Sequence, residues 1–470
     1  MIAQKDPCIR VLVPAGVLGW GVSAREIEAG LALSPHAIAI DAGSTDSGPA
    51  YLATGRSKYG RGSVKRDLSL LMDARRRAGI PLLIGSCGTS GCDMAVDETL
   101  EIAMEVAREQ GDSPRIAVIY SEQSAADLKV RNAGGKVTPL PPAGPLSDRS
   151  LDACSHIVAL LGPEPYMAAI SAGADIVLGG RTTDTAVLAA FPLMHGVDTA
   201  AAWHAAKIAE CGGLCTINPT NPGVMMSIDR HGFTIEPLSP ENRCTPETVS
   251  AHMLYENSDP FRLAEPGGVL DVTCAEYSAL DERRVRVTGS RWEPKSYTMK
   301  LEGAGGGPFQ TFMLVGIEDP DVLEDVDSFV ARMQAGLRAR MARTMGPEAA
   351  AIDISLRPYG WNAVSGRPAS GNAAPPREIG LMFVATAPTQ AMATEAARVC
   401  NPLFFHFPVR EGTEIPSYAF PFSPAEVERG QVFEFHLNHV VHTASPFELA
   451  RTRWVDLSVA PREAASAQAR

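Results

Sequence analysis

Short apolar, β-branched runs alternate with helical stretches through the first part of this chain. That rhythm limits the fold more than any other feature. IRVLV (9–13), HAIAID (36–41), PLLIGS (81–86), RIAVIY (115–120), HIVALLG (156–162) and ADIVLGG (174–180) read as strands. Helices are predicted over Ser23–Leu33, Val64–Ala78, Asp93–Gln110 and Glu164–Ala172, with another opening at Thr183. Strands with no polar alternation need cover on both faces. The expected class is therefore α/β, a mostly parallel sheet with helices on both faces.

From about residue 215 the pattern changes. Runs such as VMMSIDRHGFTIEPL, VLDVTCAEYSAL, RVRVTGSRW and YTMKLEGA are spaced like antiparallel pairs, which predicts a β-rich insertion over about 215–305. The breaker-rich SGRPASGNAAPP (365–376) reads as a linker. The expected organisation is an α/β domain over 1–364, a smaller α+β C-terminal domain over 377–458 and a flexible tail over 459–470. SPAEVERG (423–430) is predicted as a short helix with a capping box at Ser423 and Glu426.

With 470 residues, of which 45% are hydrophobic, the chain can bury a large core and is long for one domain. Its net charge of −12 argues against a nucleic-acid partner. No apolar run is long enough to span a membrane, and no signal pattern opens the sequence. Nine scattered cysteines are then expected to be reduced, which predicts a cytoplasmic protein. A homo-oligomer is the expectation for a chain of this size, with a partner subunit as the alternative.

Ligands of open parallel sheets sit beyond the carboxyl ends of the strands. Four loops there are rich in Gly, Ser, Thr and Asp: AGVLGWG (15–21), DAGSTDSGP (41–49), GSCGTSGCD (85–93) and GGRTTD (179–184). Such turns can offer backbone N–H groups to an anion, so a small anionic substrate is expected. The candidates for binding it are Ser44, Thr45, Ser47, Ser86, Gly88, Thr89, Ser90, Arg181, Thr182 and Thr183, with Arg181 as a bidentate carboxylate clamp. The first loop is G-x-x-G-x-G, not a dinucleotide fingerprint. Asp46 and Asp184 are candidates for acid/base work, and together with Asp41 for holding a divalent metal ion. Cys87 sits near a helix start, where a thiol can become nucleophilic. The strand carrying His436, His439 and His442 turns His439 to the opposite face, so it makes no three-histidine site alone.

Several stretches go further. SAHMLYENSDPFRLAEPGGVLD (250–271), ADIVLGGRTTDTAV (174–187), HAAKIAECGG (204–213) and VRVTGSRWEPKSYTMKLEGA (285–304) resemble the acyclic terpene utilisation family. After ECG this chain reads LCTINPTN where the family has a glycine-rich run, and its GSTDSGP loop also differs, which suggests a different substrate. The resemblance implies a role in catabolism of carboxylic acids or their CoA thioesters. It adds His252 and Glu256 as acid/base candidates and Asn257 as a binding residue, with Asp259, Glu265 and Glu210 nearby. The expected activity is a lyase acting on a hydroxy or unsaturated acid or thioester. The alternatives are a thioester or amide hydrolase using Cys87 or Ser86, and a binding subunit without catalysis.

Overall fold

A computed structural model describes residues 8–367, 374–409, 415 and 418–457. The chain forms two compact units, one of residues 1–305 with 435–470 and one of residues 306–434. This differs from the expected division at 365–376. The tail over 459–470 and part of the linker lie outside the described residues.

The first unit is built on a ten-stranded sheet. Its middle is parallel: β1 (Ile9–Val13), β2 (Ala37–Asp41), β3 (Leu82–Gly85), β4 (Arg115–Tyr120) and β5 (Ile176–Gly179) lie in the order β1-β2-β3-β5-β4. Every residue of β2, β3 and β5 is buried, which is why these strands read as unbroken apolar runs. The flanks are antiparallel. Beyond β1 come β6 (Val224–Ile228), β7 (Phe233–Pro237), β9 (Val285–Thr288) and β8 (Glu276–Ala279). Beyond β4 comes β10 (Arg451–Asp456). The sheet is thus mixed, with the four parallel pairings expected in its middle and five antiparallel pairings on its flanks. The β-rich residues supply the extra strands of this same sheet, and a three-stranded sheet of Arg262–Glu265, Gly268–Asp271 and Arg291–Pro294.

Local chemistry sets the helix ends. Arg61–Ala78 stops at Gly79 and Asp93–Gln110 at Gly111, both left-handed, and each glycine N–H returns to the last carbonyls. Asp184–Met194 starts at Thr183, whose side chain accepts from the Ala186 N–H at 3.2 Å.

The second unit has its own core. Phe309–Ile317, Ile379–Ala387 and Asp353–Tyr359 form an antiparallel sheet, and helices Val326–Met345 and Gln390–Phe404 join its core through Phe329, Met333, Leu337, Ala396 and Phe404. Elements from both sides of 365–376 therefore share one core, so that stretch separates nothing. The expected C-terminal domain over 377–458 is split for a related reason. Residues 451–456 pair with β4 in the first unit, where Arg115 also stacks 4.3 Å from the Trp454 ring. The helix expected over 423–430 is absent, and Val427–His442 is strand.

Candidate functional site

The four loops beyond β1, β2, β3 and β5 meet at one end of the sheet. The Leu18 N–H donates to Asp41 O at 2.9 Å, Ala42 N to Gly85 O at 2.9 Å, Ser86 N to Gly180 O at 3.1 Å and Arg181 N to Gly91 O at 3.1 Å. Contact is closest at Gly91, which is left-handed at φ +63° and would place a Cβ 2.1 Å from the Arg181 nitrogen. Gly91→Ala therefore combines a left-handed alanine, costing about 1–2 kcal/mol, with overpacking of about 1–3 kcal/mol. A fall in Tm of the folded protein is the expected result, and thermal unfolding checks it.

Several of the N–H groups expected to form an anion cradle are spent inside the protein: Cys87 N donates to Gly179 O, Gly91 N to Cys87 O of its own loop and Thr183 N to Leu161 O. Gly43 N donates to the Asp41 carboxylate at 2.8 Å. Gly88 packs against Ala95, and the Ser90 hydroxyl donates to Cys92 Sγ at 3.4 Å.

What lines the cleft instead is carboxylate. Two adjoining cavities of about 360 and about 320 Å³ share Asp46, Asp184, Glu210 and Glu256 in their walls. Asp41, Ser44, Ser47, Lys58 and Thr89 line the first, with Trp20, Leu214 and Tyr255 as an apolar lip. Arg181, Thr183, Lys207, Asn257, Glu265, Lys300 and Glu302 line the second. Three residues on this cleft or its loops hold left-handed backbone without being glycine: Ser86 (φ 48°), Thr89 (φ 78°) and Glu256 (φ 58°). Such strain collects where function fixes the chain.

Arg181 is already engaged. Its Nε donates to Glu302 Oε2 at 3.1 Å, and its Nη1 to Asp184 Oδ1 at 2.8 Å and to Ser86 Oγ at 3.1 Å. Its Nε and Nη1 are thus tied to two carboxylates of the cleft rather than free for the substrate clamp expected from the sequence. Thr45 donates to Glu302 Oε2 at 2.9 Å on the far side. Thr182 pairs with the Tyr166 hydroxyl at 2.8 Å, below the cleft floor. Asn257 donates to Met253 O at 2.8 Å and tethers the loop carrying Glu256.

Lys207 and Glu210 form a buried ion pair at the end of helix Thr199–Ala209, all of whose residues from Ala200 onward are buried. They are the only Lys, Arg, Asp or Glu in TAAAWHAAKIAE, a signal visible in the sequence. Burial pushes the Glu210 carboxyl up to about 8, and Asp184 and Glu265 nearby add to this against the pull of Lys207. Burial likewise pushes Glu265 up to about 7, although Thr185 donates to it at 2.8 Å. Asp41, Asp184 and Glu256 are raised, each chiefly by burial. Burial would also raise Glu302, but Arg181 and Lys300 hold it below its ordinary value.

Glu265 gives a signed expectation. Its folded pKa is raised from 4.5 to about 7, so its contribution to stability is complete below 4.5 and is lost as pH rises through about 7. The Tm of Glu265→Gln relative to wild type should therefore improve as pH goes from about 5 to about 8, as read by thermal unfolding across that range.

Cys87 is fully buried, and desolvation pushes its thiol up to about 12. It is not the activated thiol that its place near a helix start suggests. Ser86 is also fully buried and bonded to Arg181. His252 is pushed down to about 4 by burial and then by Lys207, and its Nε2 is buried with no partner. Asp41, Asp46 and Asp184 do not form a metal-donor trio among the described residues; in the cleft the donors that come within 4.8 Å of one another are Glu210, Cys211 and His252. His436, His439 and His442 scatter: His439 Nε2 lies 3.0 Å from Gly144 O and His442 Nε2 lies 3.3 Å from Thr138 Oγ1.

The fold and cleft define an α/β protein with a carboxyl-lined cleft beyond the carboxyl ends of its parallel strands. The chain belongs to the acyclic terpene utilisation family: the family model described as "Acyclic terpene utilisation family protein AtuA" matches residues 54–432. The comparisons with curated proteins and with solved structures find no match. Among the described residues no helix is long and apolar enough to cross a membrane.

Proposed function

We propose that this chain is a catabolic lyase that adds or removes water next to the carboxyl group, or CoA thioester, of an acyclic branched acid. The observation that carries this reading is the pair Glu210 and Glu265, two carboxyl groups on one cleft pushed to about 8 and about 7. A carboxyl group that changes state near neutral pH can serve as acid or as base. In the dehydration direction, one carboxylate removes the proton from the carbon beside the carboxyl group. The other carboxyl group protonates the hydroxyl, which leaves as water while the C=C bond forms. Asp46, Asp184 and Glu256 stand on the same walls and can relay these protons. Lys58 and Lys300 on these walls supply positive charge for the anionic end of the substrate, exchanging their bonds to Ser47 and Glu302 for it. The exposed Trp20, Leu214 and Tyr255 offer a surface for its hydrocarbon tail. Family membership supports the terpenoid character of that tail. Nine free cysteines support a reducing, cytoplasmic setting, and a homo-oligomer remains part of this reading.

The test is hydration of a short branched 2,3-unsaturated acid and of its CoA thioester, followed by loss of the conjugated absorbance. Turnover of either one, with Cys87→Ser retaining wild-type kcat/KM, is the expected result. A Cys87→Ser enzyme without activity would restore the hydrolase reading. Absence of turnover with both compounds, together with a co-purifying partner, would leave a binding subunit.

A further inference from the structure

A second cluster of reactive side chains lies away from the cleft walls. Cys92 ends the GSCGTSGCD loop and caps helix Asp93–Gln110. Glu122 follows β4, where an isolated bridge to Val158 fixes its position. His156 opens the strand His156–Ala159. The Cys92 sulfur, a Glu122 carboxylate oxygen and a His156 ring nitrogen all lie within 4.8 Å of one another.

We propose that Cys92, Glu122 and His156 form a zinc site, completed by water, that pins the cleft loop 85–93 to the neighbouring strands. Sulfur, imidazole and carboxylate together are a zinc donor set. Bonds of about 2.0–2.3 Å place tetrahedral donors roughly 3.3–3.8 Å apart, so a bound ion would draw in donors that now lie within 4.8 Å and open the hydrogen-bonded Glu122–His156 pair from 2.6 Å. Glu122 is already oriented: its Oε2 accepts the Asp93 N–H at 2.8 Å, while its Oε1 lies 2.6 Å from His156 Nδ1. Burial holds the Cys92 thiol above its ordinary value, against the Ser90 hydroxyl that points its proton at Cys92 Sγ at 3.4 Å, so the metal itself displaces the thiol proton. Beside the cluster, Asp93 Oδ1 is buried with no hydrogen-bond partner, while Arg451 holds its Oδ2 at 2.5 Å. The three protein donors leave the fourth tetrahedral position to water. A cavity of about 780 Å³ reaches Asp93 and Glu122 and gives the ion an entry path. On binding, the thiol proton and the proton shared by Glu122 and His156 pass to solvent as the metal bonds form.

The full chain, stripped with chelator and then titrated with Co²⁺ or Zn²⁺ alone, tests this. One tight equivalent per chain is expected, with a thiolate-to-cobalt charge-transfer band that Cys92→Ser abolishes and Cys211→Ser leaves intact. His156→Gln should weaken Zn²⁺ binding by more than about 100-fold, beyond the cost of losing a merely supporting group. Absence of a stoichiometric equivalent, or a band that survives Cys92→Ser, overturns the proposal. A band lost in Cys211→Ser overturns it too, because the ion then sits beside Glu210 and His252. Should Cys92→Ser fail to fold, the affinities of His156→Gln and Glu122→Gln decide.

Discussion

Arg181→Met should destabilise the first unit by about 3–5 kcal/mol, a large share of the roughly 5–15 kcal/mol that holds a typical domain together. Arg181 and Glu302 are each only 4% exposed. Methionine matches the arginine stem in length but leaves two carboxylates behind. Asp184 loses its 2.8 Å partner, and Glu302 keeps only Lys300 at 3.1 Å and the Thr45 hydroxyl. An uncompensated buried charge costs more than the ion pair contributed, so one-sided removal is the damaging change. Arg181→Met/Glu302→Gln should recover part of the loss, because the second change removes one stranded charge. Urea unfolding of the three proteins measures both effects. A loss below about 1 kcal/mol for the single variant would mean the pair is screened like a surface bridge.

Glu265→Gln and Glu210→Gln should each lower kcat by about 10²–10⁴, the usual worth of a positioned acid or base. Glutamine keeps the shape and the hydrogen bond from Thr185 but cannot exchange a proton. The two substitutions should also differ in kind. Glu265→Gln should move or remove one limb of the pH profile near about 7. Glu210→Gln also leaves Lys207 buried without its carboxylate, so its activity loss comes with a fall in Tm. Wild-type kcat in both variants would remove the carboxyl pair from the mechanism.

The parallel strands were legible because burial on both faces selects unbroken apolar runs, as in LLIG and in AIAI before the buried Asp41. Helix Asp93–Gln110 was legible to the residue, because Gly111 ends it. The helix expected over 423–430 shows where local pattern loses. Glu426 accepts from Asn401 at 2.6 Å and Glu428 from Thr394 at 2.9 Å, so both glutamates serve neighbours distant in sequence instead of a capping box. The unit boundary falls inside the breaker-rich run Gly305, Gly306, Gly307 and Pro308, yet Thr298–Ile317 is one continuous strand there, so the run ends no element and the boundary was hidden. Convergence of the glycine-rich loops followed from their place at strand ends. Their polarity did not, because composition cannot show that the loops satisfy each other's N–H groups. Lys207 and Glu302 were passed over, although both lie inside the family-like stretches.

The claim beneath the proposed chemistry is that this cleft holds carboxylic acids that change protonation state near neutral pH. An infrared titration of the protonated-carboxyl band, from about pH 5 to about pH 9, tests it without any substrate. A band that fades through about 7 to 8 in the wild type and loses its lower component in Glu265→Gln is the expected result. A wild-type protein with no carboxyl group titrating above about pH 6 would contradict it.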